Sequence, residues 1–256
     1  MFRRLLPLLL LIIITPAEPV FAQTDFSWWN ELHDWDGFRP WEDYLTISPG
    51  FLGPNALPVP RLQNGRIIQA ARATLGATYH YHTGDPTKNL EISGFVPLFS
   101  ERAGLELSIV PIERYNFTEE IRDERKVRDF DGTGWAVGDL YISTYVQLIQ
   151  GHEKIPDILL TVNLRTASGD KLTAGRYTDA PGYYFDLSLG KDYALGQSKI
   201  RPHLMGGFYV WQTFTANSLQ NDAFLYGMGI DWIFNKFTLT NSLTGYAGYL
   251  GNGDHP

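Results

Sequence analysis

Residues 157–190 read DILLTVNLRTASGDKLTAGRYTDAPGYYFDLSLG, and the two ends of this stretch decide the fold. Ile158, Leu160, Val162 and Leu164 alternate with Thr161, Asn163 and Arg165. Past the polar middle, Tyr183, Phe185, Leu187 and Leu189 alternate with Tyr184, Asp186, Ser188 and Gly190. A period of two marks a strand with unlike faces. The segment between them is rich in glycine, hydroxyl and charged residues. It reads as a long loop joining two antiparallel strands, with Arg165 and Asp186 at its feet.

The same rule holds outward in both directions. Leu140, Ile142, Val146 and Leu148 oppose Asp139, Ser143 and Gln147, and Phe224, Tyr226, Met228, Ile230 and Trp232 oppose Gly227, Gly229 and Asp231. Nine strands are expected, near 70–82, 87–98, 102–116, 135–150, 156–168, 181–194, 198–213, 221–234 and 236–250. Several run to 10 residues or more, where soluble strands average about five or six. Aromatics mark the strand ends on the apolar face (Tyr79, Tyr81, Tyr183, Tyr193, Trp232, Phe234). The other face carries His80, Glu91, Glu106, Arg165, Arg201, His203 and Asp231. A dry sandwich core has no place for that second face, whereas a transmembrane antiparallel β-barrel with a wet interior accommodates both. Short and long connections alternate along the chain, as the turns and outer loops of such barrels do. Nine strands leave the count odd, so a C-terminally incomplete barrel is expected, with three further strands making twelve.

The N-terminus fits this class. Arg3 and Arg4, an apolar run from Leu5 to Ile14, and Val20 and Ala22 before a cleavage point read as a signal peptide over 1–22. Its removal takes the net charge from −7 to about −8, which argues against nucleic acid as a partner. With no cysteine, disulfide staples and thiolate chemistry are excluded. Residues 23–66 hold Trp28, Trp29, Trp35 and Trp41, four of the seven tryptophans, followed by a proline-rich run. Prolines at that density forbid a central strand. The segment reads as an irregular arm, with a short helix near Trp28–Leu32, either filling the interior or lying at the periplasmic rim. Residues 67–256 are the barrel part.

Particular stretches, "GPNALPVP", "GDLYISTYVQLI", "LRTASGDKLTAGRYTDAPGYYFDLSLGKDY", "GGFYVWQT", "QNDAFLYGMGID" and "GYAGYLGNGDHP", resemble a family of Gram-negative outer-membrane β-barrel proteins of unassigned role. The "RTASGDK" turn is similar, more weakly, to the "PTGD" turn of porins linked to aromatic-compound degradation. The resemblance implies a barrel and suggests transport, with several strands following the equivalent of "GNGDHP". It supplies no catalytic residue.

Candidate residues follow from the charges the alternation turns inward: Arg165, Asp186, Asp139 and Glu113, with Arg176 and Asp179 in the loop. Together they read as a charged constriction toward the outer end or as a salt-bridge network stiffening the wall. His80 and His82 with Glu91 offer too few ligands for zinc. Asp129, Asp131 and Thr133 start like a calcium loop that has Leu140 where a glutamate belongs. No metal, cofactor or catalytic residue is therefore expected. A lipid hydrolase needs serine, histidine and carboxylate together on the lipid side, and His80, His82 and His203 fall on the inner face. The expectation is a non-enzymatic passive channel for small, hydrophobic or aromatic solutes, embedded in outer-membrane lipid with lipopolysaccharide at its outer loops. The alternatives are a structural or adhesive barrel with a closed interior and, further off, a barrel lipid hydrolase.

Overall fold

The computed structural model describes residues 25–46, 48, 51–98, 101–212 and 220–248. The signal-peptide reading and the terminal "GNGDHP" lie outside these residues. Nine antiparallel strands form one curled sheet, a half-barrel, each strand bonded to the next along the path. In chain order they are β1 (Arg72–His80), β2 (Thr87–Pro97), β3 (Ala103–Asn116), β5 (Tyr141–Ile149), β6 (Asp157–Arg165), β7 (Gly182–Gly190), β9 (Ser198–Gln212), β10 (Gln220–Phe234) and β11 (Phe237–Ala247). Two short strands branch off this path. β4 (Thr133–Ala136) pairs with the far end of β3, and β8 (Tyr193–Leu195) pairs with the start of β9.

The expected strand over 135–150 is broken in two. Val110 and Pro111 make a bulge in β3 opposite Glu91, and proline has no N–H to give to a ladder. β3 therefore pairs with β5 up to Ser108 and with β4 from Glu113 onward. Between those two strands Gly138 donates to the Val110 carbonyl at 2.8 Å. Asp139, read as a strand residue, lies in this break.

The alternation places polar side chains inside and apolar ones outside. On β6, Asp157, Thr161, Asn163 and Arg165 are buried, while Val162 and Leu164 are exposed on the convex face. Cross-strand partners extend this face in rows. Val162, Phe185, Phe208 and Phe224 stand side by side over four strands, with ring centroids 5.6 and 6.2 Å apart for the three phenylalanines. A second row runs Ile158, Leu189, Leu204, Met228 and Leu243.

Residues 25–66 cover the concave face. Helix α1 (Ser27–Leu32) and a 3-10 turn (Trp41–Tyr44) sit at the end of the sheet with the long loops. There Trp29 donates to the Lys126 carbonyl at 2.9 Å and Thr46 to that of Arg125 at 3.2 Å. The chain then descends the wall. Arg165 donates to Ala56 O at 2.6 Å, and Tyr246 donates to Leu57 O at 2.9 Å. Leu52, Ala56 and Leu57 bury against Met205, Tyr209, Trp211 and Leu225. Near the opposite end, the Gln147 amide donates to Gly65 O and accepts from Ile67 N, both at 2.8 Å. One side chain thus serves as a strand edge for the arm. Leu159, apolar on the otherwise polar face of β6, is fully buried beside Ile67 and Phe95.

Candidate functional site

The concave face carries three polar zones stacked along the arm. At the loop end, Arg176 is fully buried and joins three elements. Its Nη1 lies 2.9 Å from both Asp85 oxygens, its Nε 2.7 Å from Glu113 Oε1 and its Nη2 2.8 Å from Thr87 Oγ1. Arg125, in helix α2 (Glu119–Arg125), donates to Asp85 Oδ2 at 2.8 Å. Glu113 also accepts from Tyr177 Oη at 3.0 Å and from the Asn55 amide of the arm. Burial, and after it the negative charge of Glu113, holds the Tyr177 phenol protonated far above its usual range. Two arginines and two carboxylates balance, as buried charge requires. The arm approaches closely here because residue 53 is glycine: a Cβ would stand 2.6 Å from Arg176 Cζ.

At the turn end, a second set closes on itself. Arg66 contacts Asp157 at 2.7 Å and Asp192 at 3.0 Å, while Arg201 contacts the same two aspartates at 2.8 and 2.7 Å. Arg66 belongs to the arm and the other three to the wall. Arg201 Nε also donates to Asn64 O at 2.9 Å, and the Asn64 amide donates to Asp231 at 3.0 Å.

Between these zones lies a cavity of about 210 Å³, bounded by the arm from Asn55 to Gln63 and by β2, β3, β5, β6 and β7. Its wall includes Glu106, Asp139, Tyr141, Tyr145, Asn163 and Tyr184. Asp139 accepts from Gly169 N at 2.7 Å through Oδ1, whereas its Oδ2 is 3.9 Å from Arg165 Nε and has no hydrogen bond among the described residues. Asn163 donates to Ser143 Oγ at 2.7 Å, and its Oδ1 likewise has no partner among the described residues.

The six residues singled out from the sequence therefore fall into separate places. Glu113 and Arg176 meet in the loop-end network. Arg165 and Asp139 face each other, but Arg165 is held by the carbonyls of Ala56 and Ala180 and by Thr178. Asp186 is not near the loop end. It lies opposite Thr161 in mid-strand and accepts from Ser188 at 2.9 Å, because four residues separate that register from Arg165↔Gly182. Asp179 is exposed, with φ at 48°, and joins none of these networks among the described residues. His80 bonds Asn89 at 2.8 Å and His82 is exposed. Asp129 holds Tyr115 Oη at 2.6 Å and Gly132 N at 3.1 Å. Sequence reasoning missed Asp85, Asp157 and Asp192, which lie at turns and strand ends where alternation gives no signal, and Arg66 in the arm; it placed Gln147 on the inner face but not its bonds to the arm. No protein-family model matches the chain, and no curated protein matches it.

Proposed function

We propose that the sheet is part of an outer-membrane β-barrel, its convex face against lipid, and that its polar interior is a passive route for small solutes restricted by the arm. The inversion of polarity carries this reading. Phe185, Leu187, Leu204, Phe208, Phe224 and Met228 are 43–57 % exposed on one continuous face, while the face that curls inward buries Asn163, Asp186, Arg201 and Asp231. A water-soluble monomer rarely leaves an apolar patch larger than a few hundred Å² bare. Exposed aromatics at both strand ends supply interfacial girdles, with Tyr79, Tyr81 and Tyr183 at the loop end and Tyr193, Trp232 and Phe234 at the turn end. The long-loop end then faces outward, where lipopolysaccharide is the surrounding lipid.

A second reading, a structural barrel with a closed interior, draws on the ion-pair sets that fasten loops and arm to the wall at both ends. Planar bilayers containing the full-length protein separate the two. Ohmic steps, altered by Arg165→Ala, are expected for a solute route. A protein that inserts and stays silent overturns it.

A further inference from the structure

We infer that the convex face, at its long-loop end, seats a phosphorylated glycolipid of the lipid A type, with a phosphate between Lys88 and Arg114 and acyl chains along β2 and β3. This rests on the outer-membrane reading, not on the solute route, and goes beyond it by giving one surrounding lipid a fixed place.

Charge on the convex face is scarce. Among the described residues of the nine strands, outward positions carry three charged side chains: Lys88 on β2, Arg114 on β3 and Asp222 on β10. β5, β6, β7 and β9 separate Asp222 from the other two. Lys88 and Arg114, by contrast, are direct cross-strand partners, and both are exposed. Like charges set opposite each other weaken a sheet. Neither cation has an ion pair among the described residues. The acidic residues of this end, Glu119, Glu120 and Asp131, lie in the connection beyond Asn116 and not on the strands. An anion bound at the pair would relieve the repulsion.

The register extends the pair into a row of four, Tyr79, Lys88, Arg114 and Trp135. Lys88 Nζ lies 5.8 Å from the Tyr79 ring centroid, and Arg114 Cζ lies 5.2 Å from that of Trp135. Each cation leans on the ring beyond it, so the two flank the seam between β2 and β3. A phosphate at that seam accepts from both, and the guanidinium offers it a planar fork of donors. Both rings are exposed, as aromatics at a membrane interface are.

Toward the middle of the sheet the same two strands turn apolar side chains outward. Leu90, Ile92 and Val96 follow Lys88 on β2, and Ile112 and Leu107 precede Arg114 on β3, all exposed. From Leu90 to Val96 the strand runs ~20 Å, which at a tilt of ~45° spans ~14 Å of depth, close to half of a ~30 Å hydrocarbon core. These columns match the acyl chains of one leaflet beneath a headgroup at the cation pair. Inorganic phosphate would leave the columns bare, and a neutral lipid would leave the cations unanswered.

The test uses the full-length protein in zwitterionic detergent micelles and three probes: lipid A, the same lipid stripped of its phosphates, and inorganic phosphate. Titration calorimetry is expected to show saturable binding of lipid A, with the stripped lipid weaker by about ten-fold or more, the loss of one hydrogen bond to a charged group. Inorganic phosphate should bind more weakly still. Arg114→Gln should weaken lipid A by a similar factor. Lys88→Glu should abolish the preference for phosphates without lowering the thermal unfolding midpoint, because it turns a like-charge pair into an opposite one. Lys154→Gln, an exposed cation at the other end of the sheet, should change nothing. Equal binding of the two lipids, inorganic phosphate binding as tightly as lipid A, or binding indifferent to Lys88→Glu and Arg114→Gln overturns the inference. A protein that inserts into phospholipid vesicles yet ignores the phosphates loses this site alone; one that inserts into no bilayer loses the outer-membrane reading and the site with it.

Discussion

The two ends of the concave face use the same ingredients differently. Each sets two arginines against two carboxylates. At the loop end, Arg176, Arg125, Asp85 and Glu113 are at most 4 % exposed and join loops to wall, the arm adding only Asn55. At the turn end the side chains of Arg66 and Asp192 are 39 % and 28 % exposed, and Arg66 is itself part of the arm. The dry set ties the loops to the wall, with Gly53 and Asn55 of the arm packed against it. The wetter set is the arm's own tether, and water screens it.

The comparison breaks most sharply at Arg176. Arg176→Met leaves the buried Glu113 without a cation and Asp85 with Arg125 alone, and should cost about 3–5 kcal/mol, read as urea unfolding of the full-length protein in micelles. Adding Glu113→Gln should recover part of the loss; no recovery would mean the two do not act as a pair. Arg201→Met, at the buried side of the other set, removes hydrogen bonds to two aspartates and should cost about 1.5–3 kcal/mol. Arg66→Ala should cost about 1 kcal/mol or less, because its side chain is more than a third exposed. Its larger effect should be on conductance, which rises as the arm loosens. An unchanged conductance alongside a large stability loss would reverse the roles assigned to the two ends. Arg61→Ala, across an exposed pair with Glu91, should change stability by no more than about 0.5 kcal/mol.

Alternation made the wall legible because a strand's period of two is written into every second residue. Ile158 through Leu164 announce a convex face, and the structure puts them there. What defeats such reading is any contact made across the sheet rather than along it. Leu159 looks like an error of pattern until Ile67 of the arm is laid over it. Gln147 looks like one more inward polar residue, yet it bonds Gly65 and Ile67 some 80 residues earlier. Asp139 leaves its expected strand because of Pro111, which lies on a neighbouring strand and changes that strand's partner. The arm's helix was visible in its tryptophans, but its path was not, since the carbonyls that hold it carry no sequence signature.

That path has a consequence for the order of assembly. Leu57 accepts from Tyr246 across 189 residues, and Asn64 donates to Asp231 across 167. Contacts so distant in sequence form late, because the intervening chain must first be ordered. A segment that precedes the wall in the chain is thus housed after it. Trp211, wholly buried where Leu52, Ala56 and Leu57 pack on the wall, stays uncovered until the arm is seated. Its fluorescence should report a slow closing phase that follows formation of the sheet.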